Sequence, residues 1–174
     1  MSGVVDLEKA RQEKKVKKGF RNWTGLFESR FGISTRMEDI PDKAVAFLAE
    51  GNRNSSFYYY DLIMNLKDMG SGFSFNELEP SEKLTVIDMH LFLLDRIRYE
   101  YMKRLGWLDS YPGEENTLVE LIMEFNELAP DIQAKPAVLS QDHPCYREYI
   151  SKNLFEKEEL IRKLIPEALK IISL

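Results

Sequence analysis

The chain has 174 residues, of which 44% are hydrophobic and 30% are charged, and its formal net charge is −5. This length and composition are typical of one soluble globular domain, and the single cysteine, Cys145, excludes an intrachain disulfide. No stretch reaches the roughly 18 uninterrupted apolar residues that a membrane span requires, and the N-terminus lacks the apolar core of a secretory signal. We therefore expect a single domain over residues 1–174 in the cytoplasm.

The charge is distributed unevenly along the chain. Residues 1–36 form a basic N-terminal arm with nine Lys/Arg against four acids, a net +5, which leaves −10 for residues 37–174. Such asymmetry is typical of an arm that binds anions, and equally of an arm that docks on the acidic body of its own domain. The sequence leaves both alternatives open.

The first third of the chain has the periodicity of helices. Residues 4–18 are helical in pattern but poorly amphipathic. An apolar stripe follows at spacings of three and four and ends at Gly32; its members are Phe20, Trp23, Phe27 and Phe31. A short helix is predicted after Pro41, with Gly51 as the residue after its end.

The longest predicted helix covers residues 80–105. Before it, Ser55 or Ser56 is expected to cap a tyrosine-rich helix that ends near Met69. Pro80 suits the first position of the long helix. Because its first half is apolar on nearly every side, we expect other helices to surround it.

The C-terminal third is predicted as three helices and one long loop. A helix over 117–128 is closed by Pro130, residues 129–143 form the loop, and a short helix runs over 144–149. The last helix, 157–173, contains Pro166, which predicts a kink or break near Ile165. We find no strand pattern. The predicted fold is all-α: a single-domain irregular helical bundle of about six to eight helices around the central helix at about 80–105.

Three residues are candidates for a ligand pocket: Tyr59, Asp61 and His90. His90 falls in the middle of the apolar face of the central helix, where a buried imidazole must pair its nitrogens. It is therefore either a ligand or general base, or a core histidine bonded to a carbonyl or a tyrosine, and we favour the core role. The Glu-x-x-His pairs of di-metal bundles are missing, so no metal or cofactor is expected.

Two further sets of residues are candidate contact surfaces. The basic arm offers anion contacts through Lys14, Lys15, Lys17 and Lys18, which place positive charge on several sides of a helix. A sequence pI of about 5.2 argues against a nucleic-acid binder, although the basic arm alone could contact a nucleic acid. The amphipathic last helix offers a surface for self-association or a partner, through Leu160, Leu164, Ala168 and Ile171.

No catalytic signature is present in the chain. We therefore interpret it as a non-enzymatic cytoplasmic interaction or regulatory module whose partner is another protein or a second copy of itself. The first alternative is a small-molecule-binding or enzymatic bundle with a pocket near Tyr59, Asp61 and His90. The second alternative is nucleic-acid contact through the N-terminal arm, which would depend strongly on salt.

Overall fold

Helices dominate the computed structural model, which describes the backbone of residues 2–172 and the side chains of residues 6–172. The described residues form nine α-helices: α1 (Ser2–Gly19), α2 (Arg21–Phe27), α3 (Asp42–Ala49), α4 (Arg53–Leu66), α5 (Pro80–Arg104), α6 (Leu118–Met123), α7 (Phe125–Gln133), α8 (Tyr146–Ile150) and α9 (Leu154–Ile172). Short 3-10 helices lie at Met37–Asp39 and Gly72–Glu77. The all-α fold class is confirmed.

The structure also contains two very short strands that the sequence pattern does not predict. β1 (Leu108–Ser110) and β2 (Val138–Leu139) pair antiparallel, with Leu108 opposite Leu139. Runs of two and three residues are too short to show an alternating pattern, which explains the omission. The strand pair also shortens the predicted loop 129–143.

The central helix α5 begins with Pro80 at its first turn, as the sequence predicts. Helices α3, α4 and α9 and strand β1 pack against it, and one apolar cluster holds these elements together. The expectation of an all-round apolar first half needs correction, because Leu84 is 63% exposed and Leu91 is 52% exposed. One side of the beginning of α5 therefore faces solvent.

The aromatic stripe of residues 20–31 is only partly helical. Helix α2 ends at Phe27, and Glu28 takes a left-handed conformation with φ 53°. Phe31 nevertheless returns to the cluster from the following loop, with its ring 5.6 Å from that of Trp23. The Trp23 indole N–H donates to the carbonyl oxygen of Tyr58 at 2.9 Å, which attaches α2 to α4. Tertiary packing, rather than helical continuity, thus completes the stripe.

Several helix boundaries differ from the prediction. Asn52, rather than Ser55 or Ser56, caps α4, since its side-chain oxygen accepts from the Ser55 N–H at 3.0 Å. The predicted helix 117–128 is interrupted at Glu124 (φ −109°, ψ 27°), and α7 then continues to Gln133 with Pro130 inside it. Pro130 is the sixth residue of α7, beyond the first turn, so the helix continues through a position where proline removes one backbone hydrogen bond.

Two predictions for the last helix differ from what the structure shows. Pro166 causes no break, since α9 continues to Ile172, and the predicted last residue, Ser173, lies outside the described residues. The proposed partner surface is mostly internal: burial in the core removes three of its four side chains from any partner, namely Leu160, Leu164 and Ala168. Ile171 alone of the four is exposed, at 40%.

Asp61 on α4 joins three segments of the chain. Asp61 is 2% exposed, and its carboxylate accepts hydrogen bonds from the Asn22 side chain at 2.8 Å, the Asn65 side chain at 3.1 Å and the Gly72 backbone N–H at 2.9 Å. A Cβ at Gly72 would lie 3.0 Å from the Asp61 Cβ and 2.8 Å from the Phe57 ring, so this close approach requires glycine. The carboxylate therefore fixes α2 and the 72–77 segment against α4.

Asp61→Ala should lower the free energy of unfolding by about 2 kcal/mol, because the Asn22 side chain and the Gly72 N–H would lose their acceptor at half-buried positions. Asn65 keeps its hydrogen bond to the Asp61 backbone oxygen. Urea unfolding followed by circular dichroism measures the change. Asp88→Ala, at an exposed position on α5, is the matched control and should stay within about 0.5 kcal/mol of the native chain. Equal effects of the two substitutions would contradict the assigned role of Asp61.

Candidate interaction groove

An open groove of about 790 Å³ lies between α1, the C-terminal end of α4, and α6. Its lining is cationic on the α1 side and apolar beneath. The residues that line it are Glu8, Arg11, Gln12, Lys14, Lys15, Val16, Lys18, Asn65, Leu66, Asp68, Gly70, Val119 and Met123.

The wall formed by α1 is unusual because half of this helix has no covering neighbour. Every residue from Asp6 to Lys14 is exposed, and burial begins only with Lys15 and Val16. The end of α1 approaches α4 closely at Gly19, where a Cβ would lie 3.2 Å from a methyl carbon of Leu62. Packing thus anchors the C-terminal end of α1 and leaves its exposed half, residues 6–14, as a free wall of the groove.

The cations on this wall follow helical spacing. Arg11, Lys14, Lys15 and Lys18 stand at i, i+3, i+4 and i+7, so they share one face of α1, and all four line the groove. The pairs Arg11/Lys15 and Lys14/Lys18 are like charges at i, i+4, which disfavours an isolated helix. An anion in the groove would relieve this repulsion.

The structure therefore divides the predicted anion contacts. Lys14, Lys15 and Lys18 line the groove, whereas Lys17 is not among its lining residues. Arg11, which is not among the predicted contacts, also lines the groove. The spacing of three, four and seven residues was the signal that would have identified it.

Below the cations, the groove is apolar. Val16, Leu66 and Val119 form the floor as buried core residues, and Met123 is 38% exposed at its edge. Val119 and Met123 are four residues apart in sequence and so lie on one side of α6. Methionine at the rim suits a surface that adapts to the shape of a ligand. The groove thus combines a cationic wall with an apolar floor.

The α4 edge of the groove carries two polar side chains. Asp68 forms an ion pair with Lys15, with 2.7 Å between its carboxylate oxygen and Nζ. Asn65 is 8% exposed and donates to the Asp61 backbone oxygen at 2.7 Å. Its own side-chain oxygen has no hydrogen-bond partner among the described residues.

The predicted pocket residues lie elsewhere and only partly together. The rings of Tyr59 and His90 are in contact, with centroids 4.8 Å apart, and the Tyr60 ring also packs against His90, with centroids 5.0 Å apart. The Tyr59 hydroxyl donates to the Leu48 carbonyl at 2.9 Å. Asp61 instead accepts hydrogen bonds from Asn22, Asn65 and Gly72. No hydrogen bond between described residues links it to His90.

His90 is a buried imidazole in an aromatic environment. Burial lowers its pKa to about 4, and the neighbouring charge of Arg98 adds to the effect. Its Nε2 has no hydrogen-bond partner among the residues that the structure describes. The ring is therefore held neutral and packs chiefly as an aromatic group.

The second histidine lies beside the single cysteine. His143 Nδ1 accepts from the backbone N–H of Cys145 at 3.0 Å, so this nitrogen is not available to activate the thiol. Trp107 packs on the imidazole with ring centroids 5.3 Å apart. Within residues 6–172, no group of three or more His, Cys, Asp or Glu side chains is arranged to hold a metal ion.

No protein-family model, curated protein or solved structure matches this chain. None of the helices in the described part of the chain is both long and apolar enough to cross a bilayer.

The low pKa of His90 predicts acid sensitivity. The unfolded chain binds a proton near pH 6.5, whereas the folded chain binds it only near pH 4. Stability should therefore fall as the pH drops through this range, since the unfolded state takes up more protons. Between pH 7 and pH 4.5, the fall in Tm should be larger for the native chain than for His90→Leu, by on the order of 5 °C.

Differential scanning fluorimetry at several pH values measures this difference. Tyr60→Phe is the control, because it alters a ring that packs on His90 but leaves the imidazole in place. It should keep the native pH dependence. Parallel curves for the native chain and His90→Leu would show that His90 does not titrate in this range.

Proposed function

We propose that this protein is a non-enzymatic interaction module whose α1–α4–α6 groove binds an acidic amphipathic helix of a partner protein. The observation that carries the proposal is the set of four cations on one face of α1, standing over an apolar floor. Amphipathic helices bind such grooves by placing apolar residues at i, i+3, i+4 and i+7 on the floor.

Charge complementarity selects an acidic occupant. Of the four groove cations, only Lys15 is in an ion pair among the described residues, so Arg11, Lys14 and Lys18 offer their charge to a ligand. Carboxylates on the flank of a partner helix would meet this stripe and speed the encounter. The rest of the chain is acidic, which disfavours docking of the same partner elsewhere.

The exposed half of α1 supports the same occupant. A charged helix of about ten residues is marginal in water on its own, and repulsion between its cations weakens it further. A partner helix lying in the groove would cover this half of α1 and neutralise its charges. The proposal thus explains why a cationic helix borders an apolar surface.

Nucleic-acid contact through the arm has less support. The groove carries two carboxylates, Glu8 and Asp68, and its apolar floor offers nothing that a phosphate backbone requires. The net charge of the chain is −5. The titration described below therefore also tests RNA binding and the association of two copies.

The alternative of a small-molecule pocket rests on one observation. The unpartnered Nε2 of His90 is a buried polar atom that a ligand could satisfy. His90 lines neither the groove nor any of three smaller cavities. Those cavities lie beside Tyr111 and Ile132, beside Trp107 and His143, and beside Glu100 and Lys103. The cationic groove is therefore the better-supported site.

The test is a titration of the full chain into a fluorescent peptide about 16 residues long, with leucines at i, i+3, i+4 and i+7 and glutamates elsewhere. The double variant Lys14→Glu/Lys18→Glu should weaken binding about tenfold or more, because two attractive pairs become repulsive. Binding of the native chain should also weaken as salt rises.

Lys9→Glu/Lys17→Glu is the matched control, since it reverses the same number of charges on α1 at two exposed residues outside the groove lining. It should weaken binding far less than Lys14→Glu/Lys18→Glu. Equal losses in both variants, or a single-stranded RNA of the same length binding more tightly than the peptide, would overturn the proposal. Analytical ultracentrifugation beside the titration shows whether a second copy occupies the groove instead.

A further inference from the structure

We propose that the carboxylate of Asp68 occupies the position beside Lys15 that a carboxylate of the partner helix takes in the complex. In the free protein, Asp68 therefore competes with the partner for Lys15. This inference rests on the proposed function of the groove. Its basis is the conformation of the chain at the end of α4, the ion pair formed there, and the position of that pair in the groove lining.

The chain leaves α4 through a left-handed residue. Asp68 has φ 57°, and the next N–H, that of Met69, donates back to the Met64 carbonyl at 2.8 Å. This is the bonding pattern of a Schellman motif, in which the left-handed position is normally glycine. An aspartate there is disfavoured relative to glycine by its Cβ, although aspartate and asparagine tolerate the conformation better than other residues.

What aspartate adds to this turn is a carboxylate directed at α1. Its oxygen lies 2.7 Å from Lys15 Nζ, and both residues line the groove. The side chain of Asp68 is 69% exposed and that of Lys15 is 35% exposed. An ion pair with this exposure is weak and exchanges readily, so an incoming carboxylate can replace Asp68.

The pairing also distinguishes Lys15 from its neighbours. Among the described residues, Arg11, Lys14 and Lys18 take part in no ion pair, whereas Lys15 is already neutralised. A partner helix therefore meets three available cations at once and gains the fourth only by displacing Asp68. The left-handed turn at the end of α4 holds this internal competitor at the edge of the groove.

The experiment measures affinity for the same acidic peptide with Asp68→Asn, which keeps a residue tolerant of the left-handed turn and removes the charge. Affinity should rise about three- to fivefold, the fold-change that corresponds to loss of one exposed ion pair. Glu8→Gln is the matched control, since it removes one negative charge from the groove lining at a residue outside every ion pair of the described part of the chain.

A double-variant cycle separates competition at Lys15 from a general change in charge. In a Lys15→Met background, Asp68→Asn should give no gain beyond that of Glu8→Gln, because the cation that Asp68 blocks is no longer present. A gain from Asp68→Asn that equals the gain from Glu8→Gln, or one that persists in the Lys15→Met background, would overturn the inference while leaving the proposed function intact. Failure of every version to bind the peptide would overturn both.

Discussion

The arrangement of this molecule depends on one buried carboxylate, that of Asp61. It accepts hydrogen bonds from α2, from its own helix α4 and from the backbone of the 72–77 segment. These bonds satisfy a charge that would otherwise be costly to bury. Because α2 follows α1 after a single residue, fixing α2 on α4 also sets the direction in which α1 passes over the end of α4. The groove is a consequence of that direction.

Periodicity in the sequence predicted the elements that pack along their whole length. The central helix 80–105, the short helix after Pro41 and the all-α class follow from apolar spacing and from proline and glycine at helix ends. Periodicity could not locate the interruption at Glu124 or the continuation of α9 through Pro166. Contacts from distant segments decide whether a helix continues through a residue of low helix propensity. The same limit applies to Phe31, which joins its cluster from a loop.

The candidate site was less accessible to sequence reasoning than the fold. Lysines 14, 15 and 18 were singled out for their charge, but the apolar floor comes from Leu66 on α4 and Val119 on α6, far apart in the chain. Apolar residues on amphipathic helices usually belong to the core, as Leu160 and Leu164 do. Only the fold shows which apolar side chains border a cavity, and so sequence favoured α9 as the partner surface where the structure leaves α1 uncovered.

The uncovered half of α1 has a consequence for local stability. Backbone hydrogen bonds between Asp6 and Lys14 are protected by no tertiary packing, so this stretch opens at a much lower free energy than the helices around α5. Amide exchange there should report helix–coil fraying rather than global unfolding. Any ligand that needs this stretch as a formed helix must then supply the ordering free energy itself. Affinity at the groove is thereby coupled to the helix propensity of residues such as Ala10, which is not among the residues that line it.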